Sequence, residues 1–497
     1  MWRDSNPMRA DLTYFWPVSI LIGTIVLLFL IDFFLGERRK SLYPFVAASG
    51  AVGMAMANAH MTNLPSVRFF SNMIVFDGMG HFFNYLFAGA LLLAILFSTK
   101  SEEVEWTDEP SYYTLLVALT LGMMLLAVSN HLLMIYLSLE LVSVLSYVLT
   151  GYVRGSRRSS EAALKYVIYG GVASGIMAYG MSLLYGLTGS MELPVIADYL
   201  QTHAVNRSVL FLSVLLMMAG FGYKIAAFPF QMWCPDVYEG APTPFTAFLS
   251  VGPKAAGFAI LIRFFLTAMG TRGEAGFIDP KFSGWPELMI ILSVATMTLG
   301  NLAALVQTNM KRLLAYSSIA HAGYMLMGFA ALNDDAVRAI LFYLVVYLLM
   351  NLGAFLVVIV VANQLRVEDL QGYAGLSRRG GLGAALSIAM AIFLFSLTGI
   401  PPFAGFIGKF YLFGAVIRSG LYGLAIIGVL NSVVSLYYYV RVVKLMFFDE
   451  ALDSRPFPMP VLRHGVALAG LAFLTLYLGL FWNGLANLSA RSATLLF

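Results

Sequence analysis

The chain has 497 residues, of which 60% are hydrophobic and 11% charged, with a net charge of +4 and a mean hydropathy of +0.81. Soluble domains carry about 25% charged residues, so the composition excludes a soluble enzyme, a disordered chain and a nucleic-acid binder. One cysteine, Cys234, excludes an internal disulfide and a cysteine-ligated iron–sulfur cluster. A helix needs roughly 20 apolar residues to cross a bilayer. The apolar runs predict an all-α polytopic membrane protein of about 14 spans, at 14–35, 42–58, 76–98, 112–128, 132–153, 162–187, 208–230, 244–269, 286–306, 312–331, 336–363, 382–417 (interrupted), 420–447 and 461–483. The runs are long and continuous rather than alternating, which argues against a β-barrel. The first is read as a retained helix, not a signal peptide.

Lysine and arginine set the expected orientation. The connections near 36–41, 99–110, 153–161, 307–312, 364–380 and 441–463 hold sixteen, including Arg38, Arg39, Lys40, Lys100, Lys311, Arg379 and Arg455. The opposite ends hold ten, including Arg3, Arg9, Arg263 and Lys281. This places both termini outside. Two spans are broken. The seventh carries Lys224 and Pro229 and runs into Pro235, Pro242 and Pro244; the twelfth carries Gly399, Pro401, Pro402 and Gly405 ahead of Lys409. Proline removes a backbone donor, and such a break is tolerated at membrane depth only where protein or water satisfies the backbone. Broken helices five apart suggest a repeat of five, and an odd repeat turns its second copy upside down. The expected organisation is a three-helix segment (1–110), two inverted five-helix units (111–270 and 271–455), each with a broken helix, and a last helix (456–497). The offsets Lys224 to Lys409, 185 residues, and Glu140 to His321, 181 residues, align the units.

Asp32 and Asp77 lie toward the ends of their runs, but Glu140 is central in LLMIYLSLELVSVLSYVL. A carboxylate at mid-helix costs about 3 kcal/mol on insertion scales and must pair, protonate or face water; a static ion pair is the plainer alternative. Lys224 (GFGYKIAAFPF), Lys254 (SVGPKAAGFAILI) and Lys409 (GIPPFAGFIGKFYLF) share that problem. Desolvated amines give up protons more readily than amines in water, and a nearby carboxylate opposes this. A Glu–Lys pair that forms and separates is thus a proton switch, and a row of buried lysines can pass the proton on. Lys165 either snorkels to the headgroups or stands beside Glu140. His321 is a candidate relay with Ser317, Ser318 and Tyr324 around it, or a structural histidine between helices. Asp236 and Glu239 either funnel protons or cap a helix, and Asp334 and Asp335 start one. Glu102, Glu103, Glu105, Asp108 and Glu109 read as a solvated loop or a partner contact. Gly170, Gly171 and Gly175 read as a packing face.

The segment GYKIAAFPFQMWCPDVYEGAPTPFTAFLSVGPKAAGFA resembles the proton-pumping membrane subunits of respiratory complex I, relatives of cation/proton antiporter subunits. The PDVYEGAPTP wording is similar to the subunit N branch rather than to L or M. EAALKYVIYGGVASG, NMKRLLAYSSIAHAGYML and GIPPFAGFIGKFYLF agree with that branch in the same order, over about 112–447. The resemblance implies a proton-translocating subunit of an NADH:quinone oxidoreductase in the bacterial inner membrane, both termini periplasmic, with no redox chemistry in this chain. It places FMN, iron–sulfur clusters and quinone on partner subunits, and K-, M- and L-like subunits as neighbours. It implies a proton relay of Glu140, Lys224, Lys254 and Lys409, supported by Lys165 and His321. Gln231, in PFQMW, stands where many relatives carry histidine, and glutamine cannot take the proton.

Three alternatives share most of these features. They are an Mrp-type Na+/H+ antiporter subunit, the equivalent subunit of a ferredoxin- or reduced-deazaflavin-dependent complex, and a scaffold subunit whose buried charges are static pairs.

Overall fold

The chain folds as a bundle of long helices, and the computed structural model describes residues 13–35, 42–62, 65–99, 101–105, 109–272, 278–280, 284–451, 457 and 462–494. Arg3, Arg9, Arg38, Arg39, Lys40, Lys100, Asp108, Lys281 and Arg455, used in the sequence reading, lie outside the described residues. Among the described residues, 13 helices are long and apolar enough to cross a membrane. With Met310–Ala331 they make the fourteen expected spans: Trp16–Leu35, Leu42–Met61, Gly78–Ser98, Glu109–Ala127, Leu132–Thr150, Arg157–Thr188, Arg207–Ile225, Thr243–Arg263, Trp285–Leu305, Met310–Ala331, Asp334–Leu365, Gly380–Thr398, Tyr422–Phe447 and Leu462–Leu480. In lipid a helix satisfies its own backbone, which is why these apolar runs take this form and no other.

The eighth and eleventh spans form the core; the apolar window of the eighth is wholly buried. A helix apolar on every side belongs inside. The first and fourteenth expose most of their surface, Phe33 and Phe473 included. Polar caps fix the entries. Asp77 accepts from Gly80 N (2.8 Å) at the third span, Asn309 from Arg312 N (3.1 Å) at the tenth and Asn333 from Ala336 N (2.8 Å) at the eleventh. Asn333, not Asp334 or Asp335, is therefore the cap of the eleventh span; the two acids occupy its first turn, where the helix dipole favours them.

Both breaks are present. The seventh span ends at Ile225, Ala226 turns left-handed (φ 59), and a short helix resumes at Trp233–Gly240. The twelfth ends at Thr398, Gly399 turns left-handed (φ 88), and the chain resumes as Ala404–Arg418. Each left-handed residue stands three before a proline preceded by a cis peptide bond, Pro229 and Pro402. A second landmark also repeats. His131 at the head of the fifth span bridges Glu192, and Asn309 at the head of the tenth bridges Asp369. Five crossings separate these paired landmarks, so the second unit runs inverted.

The backbone landmarks correct the alignment of the units. The breaks are offset by 173 residues (Ala226 to Gly399) and the caps by 178 (His131 to Asn309), not by 185 and 181. Glu140 therefore corresponds to Ser318 and Ser143 to His321. Lys224 precedes its break whereas Lys409 follows its own, so the two lysines are not counterparts. Matching residue types across the units misled because the chemistry has moved along the helices while the backbone plan has stayed.

Candidate functional site: buried lysines and a tyrosine cage

The broken helices leave backbone groups that the surrounding protein satisfies. At the first break, Phe228 N donates to Thr296 Oγ1 (3.0 Å) and Trp233 Nε1 to the Tyr223 carbonyl (3.0 Å). At the second, Gly405 N donates to Ser396 Oγ (3.0 Å), and the Thr398 carbonyl accepts from Lys409 Nζ (2.7 Å) and Ser432 Oγ (2.8 Å). Gly405 is required there, because a Cβ would lie 1.7 Å from the Ser396 carbonyl oxygen. The break thus creates an acceptor, and Lys409 occupies it.

Lys224, Lys254 and Lys409 are all buried, at 1%, 2% and 3% exposure. Lys224 Nζ donates to Ser143 Oγ (3.3 Å), one turn along the fifth span from Glu140. Glu140 Oε1 is buried with no hydrogen-bond partner among the described residues. Ser143 Oγ in turn donates to the Leu139 carbonyl (2.8 Å), so the two expected partners, Glu140 and Lys224, make no direct bond to each other. Lys254 Nζ donates to Ser318 Oγ (2.5 Å), which also accepts from Tyr347 OH (2.8 Å). His321 shares hydrogen bonds with Tyr343 OH at Nδ1 (2.7 Å) and with Tyr439 OH at Nε2 (3.3 Å). Tyr439 OH in turn bonds Ser317 Oγ. Lys409 also bonds Ser432 Oγ (2.8 Å) and lies 4.5 Å over the Tyr324 ring. A cleft of about 410 Å³ with mostly apolar walls, including Phe406, Phe410 and Phe413, opens beside it.

Tyr343, Tyr347 and Tyr439 escaped the sequence reading. The signal was there: Tyr343 and Tyr347 stand four apart in the otherwise apolar stretch 339–350, which puts both hydroxyls on one face. Gln231 is buried, and its Oε1 has no partner among the described residues. Of the glycines, Gly170 faces the Tyr147 and Tyr223 hydroxyls, while Gly171 and Gly175 meet nothing within 4 Å, so they do not form an internal packing face.

Lys165 is less buried than Lys224, Lys254 and Lys409, with its side chain 39% exposed. It bonds Asp236 Oδ2 (2.7 Å) and Glu161 Oε1 (2.8 Å) and makes no bond to Glu140. The structure places it in a surface network: Arg312 bonds Asp236 (2.6 Å) and Glu239 (2.8 Å), Arg158 bonds Glu239 (3.1 Å) and Glu368 (3.4 Å), and Lys311 bonds Glu368 (2.7 Å). The chain of alternating charge ties the two units together. Lys311, counted above as a loop charge, is buried and also bonds the Ala241 carbonyl (3.3 Å). Glu103, from the run read as solvated, accepts from Thr243 N (2.6 Å) at the head of the eighth span. Asp236 and Glu239 are thus clamped.

Burial raises the Asp236 carboxyl, but hydrogen bonds from Lys165 and Arg312 outweigh it and hold the group below its ordinary value. A carboxylate depressed in the folded state stabilises above its unfolded pKa, and that stability is lost as pH falls through the folded pKa. Below about pH 4 the clamp therefore weakens. Thermal melts of the purified complex from pH 7 to pH 3 will show a steeper acid loss for the unmodified chain than for Asp236→Asn; equal profiles would contradict this.

Among the described residues no three of His, Cys, Asp and Glu gather as a metal site requires. Inverted five-helix units with buried lysines near their breaks define an antiporter-like membrane subunit. The sequence model of the family described as "NADH:quinone oxidoreductase/Mrp antiporter, TM" matches residues 129–435. NADH-quinone oxidoreductase subunit N 2 of Sorangium cellulosum is 48% identical, covering 98% of each chain. A chain of respiratory complex I from Thermus thermophilus superposes with a TM-score of 0.78 at 31% identity, over 95% of this chain and 99% of that one. A chain of the Mrp complex from Dietzia has a TM-score of 0.83 over 97% of both but 19% identity, a likeness of fold alone. The chain belongs to the subunit N family of NADH-quinone oxidoreductase. It is a membrane subunit of that proton-translocating complex, and the Mrp antiporters are its more distant relatives.

Proposed function

We propose that this subunit moves protons through Glu140, Lys224, Lys254, His321 and Lys409, driven by redox chemistry elsewhere in the complex. The observation that carries the reading is that three buried lysines are held by hydroxyls and a carbonyl rather than by carboxylates. A static buried charge needs a well-fitted counter-ion; a carrier needs to be released. Redox-linked charge movement along the membrane arm separates Glu140 from Lys224. Lys224 passes its proton toward Lys254, and Lys409, beside its cleft, exchanges with the far side. Lys165 and its ion pairs hold the second half of the broken seventh helix instead of relaying.

FMN, the iron–sulfur clusters and the quinone site belong to partner subunits in this reading, and K-, M- and L-like subunits are the neighbours. The units run 111–270 and 271–455, between a three-helix segment (1–110) and a last helix (456–497). The membrane is a bacterial inner membrane with both termini periplasmic. Setting aside Lys311, Arg379 and Arg263, all buried, leaves the basic excess on the same side.

Lys224→Ala in the assembled complex tests the relay. The protons ejected per NADH oxidised fall, while the yield of complex is unchanged. An unaltered ratio would remove Lys224 from the path.

A further inference from the structure

Between Lys254 and Lys409 the relay proposed above has only His321, and it bonds neither lysine directly. Its two ring nitrogens each face a tyrosine hydroxyl, Tyr343 at Nδ1 and Tyr439 at Nε2. A neutral imidazole donates at one nitrogen and accepts at the other, so one tyrosine gives a hydrogen bond and the other takes one. The cage stands between the lysines: Lys254 shares Ser318 with Tyr347, whose ring packs beside the imidazole, and Lys409 lies 4.5 Å over the Tyr324 ring, which packs beside it too. Tyr439 OH bonds Ser317 Oγ, whose chain neighbour Ser318 takes the Lys254 ammonium. The Tyr343 ring lies against Gly408, where a Cβ would come within 2.4 Å of it, and the next residue is Lys409. All of these side chains are buried.

We infer that Tyr343 and Tyr439 are relay residues, and that with His321 they form a reversible wire between the Lys254 and Lys409 ends. In one state Ser317 donates to Tyr439, Tyr439 to Nε2, and Nδ1–H to Tyr343. In the other every bond points the opposite way. A proton entering at the Ser317 end moves the Tyr439 O–H proton onto Nε2 as the Nδ1 proton passes to Tyr343, whose own proton leaves toward Lys409. Each oxygen and nitrogen ends with the number of protons its new state requires, so no net charge remains on the cage. The imidazole changes tautomer, and turning of the hydroxyls and the ring restores the first state. The Tyr347 and Tyr324 rings, 5.4 and 5.7 Å from His321 between centroids, complete the cage.

This inference rests on the proposed relay, and the test separates the two. Tyr343→Phe and Tyr439→Phe, each of which keeps the ring and removes the hydroxyl, are built singly beside Lys254→Ala in the whole complex. Proton ejection and NADH oxidation are followed in sealed vesicles, in H2O and D2O, and assembled complex is quantified by native electrophoresis. The expected result is normal assembly with proton ejection through this subunit reduced by about 100-fold in each Phe variant, the range for loss of a positioned proton carrier. The solvent isotope effect on the residual flux changes with it. If Tyr439→Phe fails to assemble, Tyr343→Phe carries the test. If Lys254→Ala stops pumping and an assembled Phe variant pumps normally with an unchanged isotope effect, the tyrosine wire is wrong and the lysine relay stands. If Lys254→Ala pumps normally, the relay fails and the wire with it.

Discussion

Lys254→Ala stops proton transfer through this subunit, and Lys254→Arg fails almost as completely. Lys254 sits in the wholly buried eighth span, 2% exposed, with Ser318 Oγ at 2.5 Å as its hydrogen-bond partner. It is the one lysine of the three whose partner lies in the opposite unit, so it joins the halves. Alanine removes the carrier. Arginine keeps the positive charge but does not release its proton. A loss of about 10²-fold or more follows from removing a positioned proton carrier. The pair of variants also separates the relay from the scaffold alternative, in which the charge is static: there the arginine variant would pump normally. The check is proton ejection per NADH oxidised in vesicles containing the assembled complex.

Arg263→Ala destabilises the subunit by about 3–5 kcal/mol, the cost of leaving a buried charge without its partner. Arg263 Nη1 and Nη2 grip Asp77 Oδ2 and Oδ1 at 2.8 and 3.1 Å, and Nε donates to the Ala127 carbonyl at 3.0 Å. Both side chains are buried, at 3% and 5% exposure. One guanidinium thereby joins the head of the third span, the end of the fourth and the end of the eighth. Set against a net stability of about 5–15 kcal/mol for a typical domain, the loss is large enough to empty the subunit from the complex. Asp77→Asn combined with Arg263→Met leaves no buried charge and recovers part of the loss. Native electrophoresis and thermal melts check this; an Arg263→Ala complex that assembles and melts normally would contradict it.

The two residues of that pair show where the sequence was legible and where it was not. The fourteen spans could be read because lipid forces each apolar run into a helix, and observed ends differ from expected ones by a few residues at most positions. The breaks could be read because Pro229, Pro401 and Pro402 cannot continue a helix. Asp77 and Arg263 each lie at the end of an apolar run, where a charge can as well face the headgroups; only tertiary contact, 186 residues along the chain, distinguishes a buried pair from two solvated ends. The partners of Lys165 were hidden for the same reason. Its place near the head of the sixth span fits both readings, and the sequence does not show that Asp236, 71 residues along the chain, pairs with it. Lys224, Lys254 and Lys409 were visible as candidates because an ammonium amid so many apolar residues is costly. The tyrosines around His321 were hidden because a tyrosine ring in a membrane span is usually packing, and its hydroxyl declares a role only when its partners are known.

Proton ejection measured together with NADH oxidation, in sealed vesicles holding the complex with Glu140→Gln, tests the central claim most directly. Glutamine keeps the shape and removes the carboxylate that is to separate from Lys224. The account predicts a fully assembled complex that ejects fewer protons for each NADH oxidised. A normal ratio in that complex would contradict it, because the buried charges would then be fixtures of the fold and not carriers.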